Sequence, residues 1–355
     1  MPRAPAPPAP QVRIADVARR ARVSTGTVSH VLSGRTQVSD ALRRRVEKAI
    51  DALGYVPNFH AQGLRRKLSR VVGLCLPHTS TAYLNALSET LEGIAASAGY
   101  GVMHVFSRHD PDTEHSRLED LIRYRVDGLI LLPSTAPARA LDLAARKALP
   151  LVIIDRPTRD KRFDQVILDN RASMREVAAG LVALGHARLL FVCHSRSRLV
   201  TQHRVEGLEA TRRAHPGLDI RTIEFQGDDA YLASELARAM KDASPPTAIV
   251  ASNSHQASLV LGALAGIGVA CPDDVSVVTF DDPEWSTLVQ PPLSVVRQPA
   301  AAMARAAWDL LMQRVNGERV APRTIMLRAA IDLRASVGPP RARPGVVDLA
   351  RATRR

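Results

Sequence analysis

Three polar residues stand at the ends of apolar runs of strand length. Asp155 follows LVII, Asp281 follows VSVVTF, and Asn253 lies one residue beyond AIVA. Carboxylates accept from ligand hydroxyls and an amide both donates and accepts, so the set suits a hydroxyl-rich ligand. Taken singly, each is also an ordinary side-chain cap of a turn. A second set, Ser24, Thr25, Gly26 and Thr27, places small side chains and free backbone amides where a helix starts, a surface able to enter a DNA major groove. His109, Asp110, Asp112 and His115 have the residue types of a metal site, but they lie in a polar stretch leading into a helix and read as a solvated loop. No GxGxxG follows a strand and neither GxSxG nor HExxH occurs, while Gly262, Gly266 and Gly268 lie within and after a helix instead of opening one. The chain is therefore not expected to be an enzyme, and neither metal nor cofactor is expected. Cys75, Cys193 and Cys271 are far apart beside strands, as buried free thiols in a reducing cytoplasm would be.

The DNA-facing set needs helices to hold it. Ile14, Val17, Ala18 and Ala21 recur at helical spacing, Val28, Val31 and Leu32 do the same, and the two stripes can bury each other as a helix-turn-helix with Ser24 as N-cap of the second helix. A third helix carries Leu42, Val46, Ile50 and Leu53, with Ser39 as its cap and Gly54 just past its end.

Charge is segregated in the same way. Residues 1–70 hold 14 Lys and Arg against 4 Asp and Glu, residues 339–355 hold 5 against 1, and the stretch between is close to neutral. A small basic head on a neutral body is what phosphate neutralisation asks for. No run of about 18 uncharged apolar residues occurs, and MPRAPAPPAP lacks the apolar core of a signal peptide, so a cytoplasmic, nucleoid-associated protein is expected. Residues 1–12 and the Pro/Arg-rich 339–355 read as disordered tails.

The three polar residues need strands. Apolar runs at 71–76, 101–106, 128–132 and 151–154, then 188–193, 220–225, 248–251 and 275–279, alternate with helical patterns. Strands apolar on both faces imply parallel sheets covered by helices, and two doubly wound lobes follow from the length. Such sheets bind ligands beyond their strand carboxyl ends.

IADVARRARVSTGTVSHVLSG and ALGYVPNFHAQGLRR, followed in order by RVDGLILLPS, PLVIIDRP, Asp169-Asn170, ALGH, RVEGL, PPTAIVASNS, PDDVSVVTFDD and PPLSVVRQP, resemble the lactose-repressor (LacI/GalR) family of bacterial transcriptional regulators over about residues 13–336. The resemblance implies a three-helix head at 13–57 and a hinge helix and linker at 58–70. It also implies a periplasmic-binding-protein-like core at 71–338, with an N-lobe of about 71–168 and 298–326 and a C-lobe of about 169–296 and 327–338. It further implies a homodimer on near-palindromic double-stranded operator DNA, without membrane contact. Thr25, Gly26 and His30 match base-reading positions, Thr27 and Ser29 face phosphates beside the N-cap Ser24, and Asn58, Ala61 and Leu64 match the hinge, where Leu64 would wedge into the minor groove, with packing on its own head as the plain alternative. Arg204 matches the ligand-contacting arginine, with a surface salt bridge as the plain alternative. Tyr83 could stack on a sugar ring or belong to the core. Asp229 falls in a loop position where the family often has an aromatic, which argues against a flat purine-like effector.

Departures from the pattern are Arg22 where the helix-helix turn usually has glycine, Arg13 for a hydroxyl cap, His30 for arginine, Ser254 for an acidic residue and Thr279 for glycine. The resulting expectation is a DNA-binding regulator, a repressor, controlled by a sugar or related polyol bound between the lobes. The alternative is a solute-binding or sugar-processing α/β protein, which would account for neither the basic head nor the hinge.

Overall fold

The computed structural model describes residues 12–33, 38–55, 68–78 and 81–341, so Asn58, Ala61 and Leu64 lie outside the described residues. The chain divides into two units, one up to Ser69 and one from Arg70.

The first unit packs α1 (Ile14–Ala21), α2 (Thr25–Ser33) and α3 (Asp40–Leu53) around a small core of Val17, Ala18, Ala21, Val28, Val46 and Ala49. Two local features differ from expectation. Ser39 stands at the N-cap of α3, but its hydroxyl makes no capping bond, and its carbonyl instead accepts from Leu42 and Arg43 N–H. Arg22 turns the chain between α1 and α2 in the left-handed region, at φ 51° and ψ 52°. The turn thus keeps the shape that glycine would give without strain, and arginine bears the Cβ clash. At the start of α1, the Asp16 carboxylate accepts from the Arg13 N–H at 2.9 Å, and the Asp16 N–H donates to the Arg13 carbonyl at 2.9 Å in place of a hydroxyl cap.

The second unit is two lobes. The first sheet contains β1 (Val71–Leu76), β2 (Gly101–Phe106), β3 (Gly128–Leu131), β4 (Leu151–Asp155) and β5 (Asp164–Leu168), with α4 (Ala82–Ser97), α5 (Pro111–Arg123) and α6 (Ala138–Arg146) between them. The second contains β6 (Arg188–Cys193), β7 (Asp219–Glu224), β8 (Ala248–Ala251), β9 (Ser276–Phe280) and β10 (Ser294–Arg297). Its helices are α7 (Asn170–Ala183), α8 (Leu199–Ala214), α9 (Asp229–Met240) and α10 (Ser254–Gly266). The chain then returns to the first lobe for α11 (Ala300–Val315) and β11 (Thr324–Leu327), and ends in the second with β12 (Ala330–Asp332).

The strand orders are β11-β5-β4-β3-β1-β2 and β12-β10-β9-β8-β6-β7, all parallel except for β12 against β10. Alternation along each strand explains the double covering. In the first lobe Ile130 and Ile154 face a core with Leu87 of α4 and Trp308 of α11, while Leu129 and Ile153 face Leu118 and Leu141 of α5 and α6. The second lobe repeats this, with Phe191 and Val250 toward Met174 and Leu208, and Leu190 and Ile249 toward Leu236 and Val260. The eight expected strands are present to within a residue at each end, and β5, β10, β11 and β12 are additional. Three segments cross between lobes, after β5, after β10 and after β11, and two are tied together where the Asp169 N–H donates to the Leu327 carbonyl at 2.8 Å.

Candidate functional site

Both sheets reverse their order at the second-from-edge strand, between β1 and β3 and between β6 and β8, and the loops leaving those strand ends open a crevice. A cavity of about 500 Å3 lies there, lined from both lobes. Tyr83, Asp155, Arg204, Asn253 and Asp281 all line it.

Asp155 and Asp281 arise from equivalent places, the ends of β4 and β9, which are corresponding strands of the two lobes. Each takes the left-handed conformation, φ 67° and φ 68°, which turns the chain away from the sheet and leaves the carboxylate over the crevice. Asp tolerates that region better than most residues, which accounts for the residue type twice over.

Arg204 sits in the second turn of α8 and is buried, 4% exposed, with no surface salt bridge. Its Nε donates to Asn170 Oδ1 at 2.7 Å, its Nη1 donates to the Ser252 carbonyl and hydroxyl, and its guanidinium carbon lies 3.5 Å from the centre of the Phe280 ring. α8 lies close enough to α7 for the Asn170 bond because residue 207 is glycine. A Cβ there would come 2.4 Å from the Arg171 carbonyl oxygen. Burial pulls the Arg204 guanidinium down to about 10, opposed by Asp281 and Asp155, so it remains a cation at neutral pH.

The carboxylates feel the same burial. Asp281 is raised to about 6 by desolvation and by Asp155, against the Gln298 amide, which donates to its Oδ1 at 2.7 Å, and against Arg204. Asp155 is raised by burial, with Arg156 and Arg204 opposing. Tyr83 belongs to the core and to the cavity wall at once. Its hydroxyl donates to Met303 Sδ at 3.3 Å beside Asp155, and burial holds its phenol well above the usual range. Asn253 caps α10, accepting from the Gln256 N–H at 2.9 Å, so its turn-capping role holds while it also faces the crevice.

Asp229 does not line this cavity. It is the exposed first residue of α9, whose cap is Asp228, and it borders a neighbouring cavity with Phe225, Gly227 and Asn253, the last of which lines both. Nor do His109, Asp110, Asp112 and His115 gather. Asp110 caps α5, Asp112 pairs with Arg139, and the His109 ring packs edge-on to His78, 5.1 Å between centres. Cys75 and Cys193 are buried and Cys271 half-buried, all as free thiols. Four cavity or supporting residues were not singled out from the sequence: Asn170, Ser252, Gln298 and Phe280. Asn170 and Gln298 sit inside quoted motifs, but nothing in their spacing shows that they hold Arg204 and Asp281.

On α2, Val28 is wholly buried in the head, which turns its neighbours outward. Thr25 and His30 are exposed, and Gly26, Thr27 and Ser29 partly so. Ser24 caps the helix, accepting from the Thr27 N–H at 3.1 Å and lying 2.9 Å from the Thr27 hydroxyl. One small face of Ser24, Thr25, Gly26, Ser29 and His30 is thus presented at the start of α2.

Residues 13–58 match the family model for bacterial regulatory proteins of the lacI family, and residues 178–337 that for a periplasmic binding protein-like domain. Catabolite control protein A of Staphylococcus xylosus is 30% identical over 326 residues, covering 92% of this chain and 99% of that protein. Among solved structures, a periplasmic binding protein/LacI transcriptional regulator from Alkaliphilus metalliredigens QYMF complexed with D-xylulofuranose is 26% identical. It has a TM-score of 0.67 and covers 75% of this chain and 98% of its own. The lac repressor dimer bound to operator and the anti-inducer ONPF is 24% identical and has the same fold, with a TM-score of 0.80, covering 92% of this chain and 99% of its own.

Proposed function

The chain belongs to the lacI family of bacterial regulatory proteins, and from that premise we propose a cytoplasmic homodimeric repressor that reads a near-palindromic operator through α2 and answers to a sugar or related polyol held between its lobes. The observation that carries this reading is the convergence of Asp155, Asp281 and Arg204 on one crevice in a chain that also carries an exposed helix-turn-helix face. Two acceptors and a fixed guanidinium are what neighbouring hydroxyls of a sugar require. The D-xylulofuranose complex of a relative supports the same ligand class. Among the described residues no helix is long and apolar enough to cross a membrane.

One recognition helix covers only a few base pairs, so two heads related by a two-fold axis would read a two-fold operator. Thr25, Gly26 and His30 take the base-facing positions, Thr27 and Ser29 the phosphates, Ser24 caps the helix at that surface, and Asn58, Ala61 and Leu64 take the hinge contacts, with Leu64 as the minor-groove wedge. The test begins with selection of operator from randomised duplexes. Sugars and purines are then screened by thermal shift, and operator binding is measured with each hit. A dimer by sedimentation, operator affinity that falls steeply with salt, and a sugar that changes it are the expected outcomes. A stable monomer with full operator affinity, or an effector response untouched by Asp281→Ala, would overturn the reading. His30→Arg should sharpen preference for guanine at one operator position by about 1 kcal/mol or more, because arginine forks onto two acceptors and histidine does not.

A further inference from the structure

The arginines lining the cavity outnumber its aspartates five to three, and they do not pair off evenly. Arg162 is held by Asp160 and Asp142 at the mouth, and Arg204 lies with Asp155 and Asp281. Arg156 and Arg159 from one lobe and Arg198 from the other remain; Arg159 is exposed, and Arg156 and Arg198 make no ion pair among the described residues, although Asp155 and Glu114 offset part of the Arg156 charge. The Arg156 guanidinium donates instead to the Pro133 carbonyl and to His109 Nδ1. Arg198, half-buried, stands at the N-cap position of α8 with no side-chain capping bond, and the first turn of that helix holds no acidic residue. After burial, the strongest influence lowering Arg198 is Arg156 itself, so the two cations oppose each other across the cavity. Beside them His109 is driven down to about 4 by burial and by Arg156, and is neutral. In the same wall Gln256 is 2% exposed and its Oε1 has no hydrogen-bond partner among the described residues, an acceptor suited to a ligand hydroxyl and not to the anion. No three His, Cys, Asp or Glu among the described residues are arranged to take a metal, so the histidines do not convert this end into a cation site.

We propose that the effector is an anionic sugar, a polyol bearing a carboxylate or a phosphate, whose hydroxyls meet Asp155 and Asp281 and whose anion lies between Arg156 and Arg198. This rests on reading the cavity as the effector site. Arg198 facing Arg156 costs stability even with Asp155 and Glu114 offsetting part of the Arg156 charge, and a bound anion relieves that repulsion while gaining charge-assisted bonds from each lobe and from the amides opening α8. The anion would also bridge the lobes, so the acidic group and not the sugar ring alone would favour closure.

The experiment is calorimetric titration of the full chain with matched probes: D-glucose and D-galactose, D-gluconate and D-galacturonate, and D-glucose 6-phosphate. An acidic member should bind at least about tenfold tighter than its neutral counterpart, the worth of one added charged hydrogen bond or more. Which acid wins distinguishes a carboxylate from a phosphate. In Arg198→Gln the acid-to-neutral ratio should collapse toward one, and Arg198→Lys should keep part of it. Equal or tighter binding of the neutral sugars by the parent protein overturns the proposal while leaving the cavity as a sugar site. Failure of every probe to bind overturns the site assignment as well.

Discussion

Asp281 carries a carboxylate that its own surroundings resist. The native state holds its proton up to about pH 6, whereas the ordinary value is 3.8, so between those values the folded protein binds more protons than the unfolded chain and loses stability as pH rises. Asp281→Asn should therefore raise the unfolding free energy of the ligand-free protein at pH 7 by about 1–3 kcal/mol and remove the effector response. An unchanged melting temperature would show that the burial cost is overstated. For the parent, effector affinity should fall as pH drops below about 6, because the hydroxyl acceptor becomes protonated, and calorimetry across pH 5 to 8 reads this directly. Arg22 bears a different cost, a Cβ in the left-handed region. Arg22→Gly should stabilise the head by about 1 kcal/mol in denaturant unfolding. A loss of stability would mean that the arginine side chain contributes more than the turn costs. At this scale the sequence was readable where a polar residue ended an apolar run, as at Asp155 and Asp281. It was not readable where a residue works by holding another, as Asn170 does for Arg204, since that relation exists only after α7 and α8 pack.

Elements were legible in proportion to their apolar content. Strands such as Val71–Leu76 and Arg188–Cys193 announce themselves with unbroken apolar runs. β5 opens instead with Asp164 and Gln165, both buried, which a strand tolerates here only because Arg314 grips Asp164 and Gln165 bonds to Thr158. Arg314 comes from distant sequence and Thr158 from the loop before the strand, and neither pairing is visible in the local pattern, which shows only polarity. β11 and β12 are four and three residues long, with exposed positions interleaved, too short to carry a period. The meeting of α7 and α8 depends on one missing side chain. Gly207→Ala would force a Cβ against the Arg171 carbonyl, costing about 1–3 kcal/mol in unfolding free energy and weakening effector binding through Arg204. Unaltered affinity in a folded variant would show that Arg204 keeps its place without that close approach.

For the whole molecule, a regulator that answers to a small ligand must satisfy reciprocity: if the effector changes operator affinity by some factor, operator changes effector affinity by the same factor. Titrating effector with and without operator duplex should close that thermodynamic cycle, and a mismatch would point to a third state. Leu64→Ala should weaken operator binding and leave effector affinity in the DNA-free protein nearly unaltered. The overall division into a basic head and a two-lobed body was legible from charge and alternation alone, because both are properties of long stretches. The three crossings have a mechanical consequence. A single connection would let one lobe swivel, slide or twist on the other, whereas three side-by-side connections, two of them bonded at Asp169 and Leu327, stiffen all of these movements except bending about the line that joins them. Opening and closing is thereby reduced to a single angle, so that whatever fills the crevice sets one geometric variable and the body can transmit only that variable as its signal.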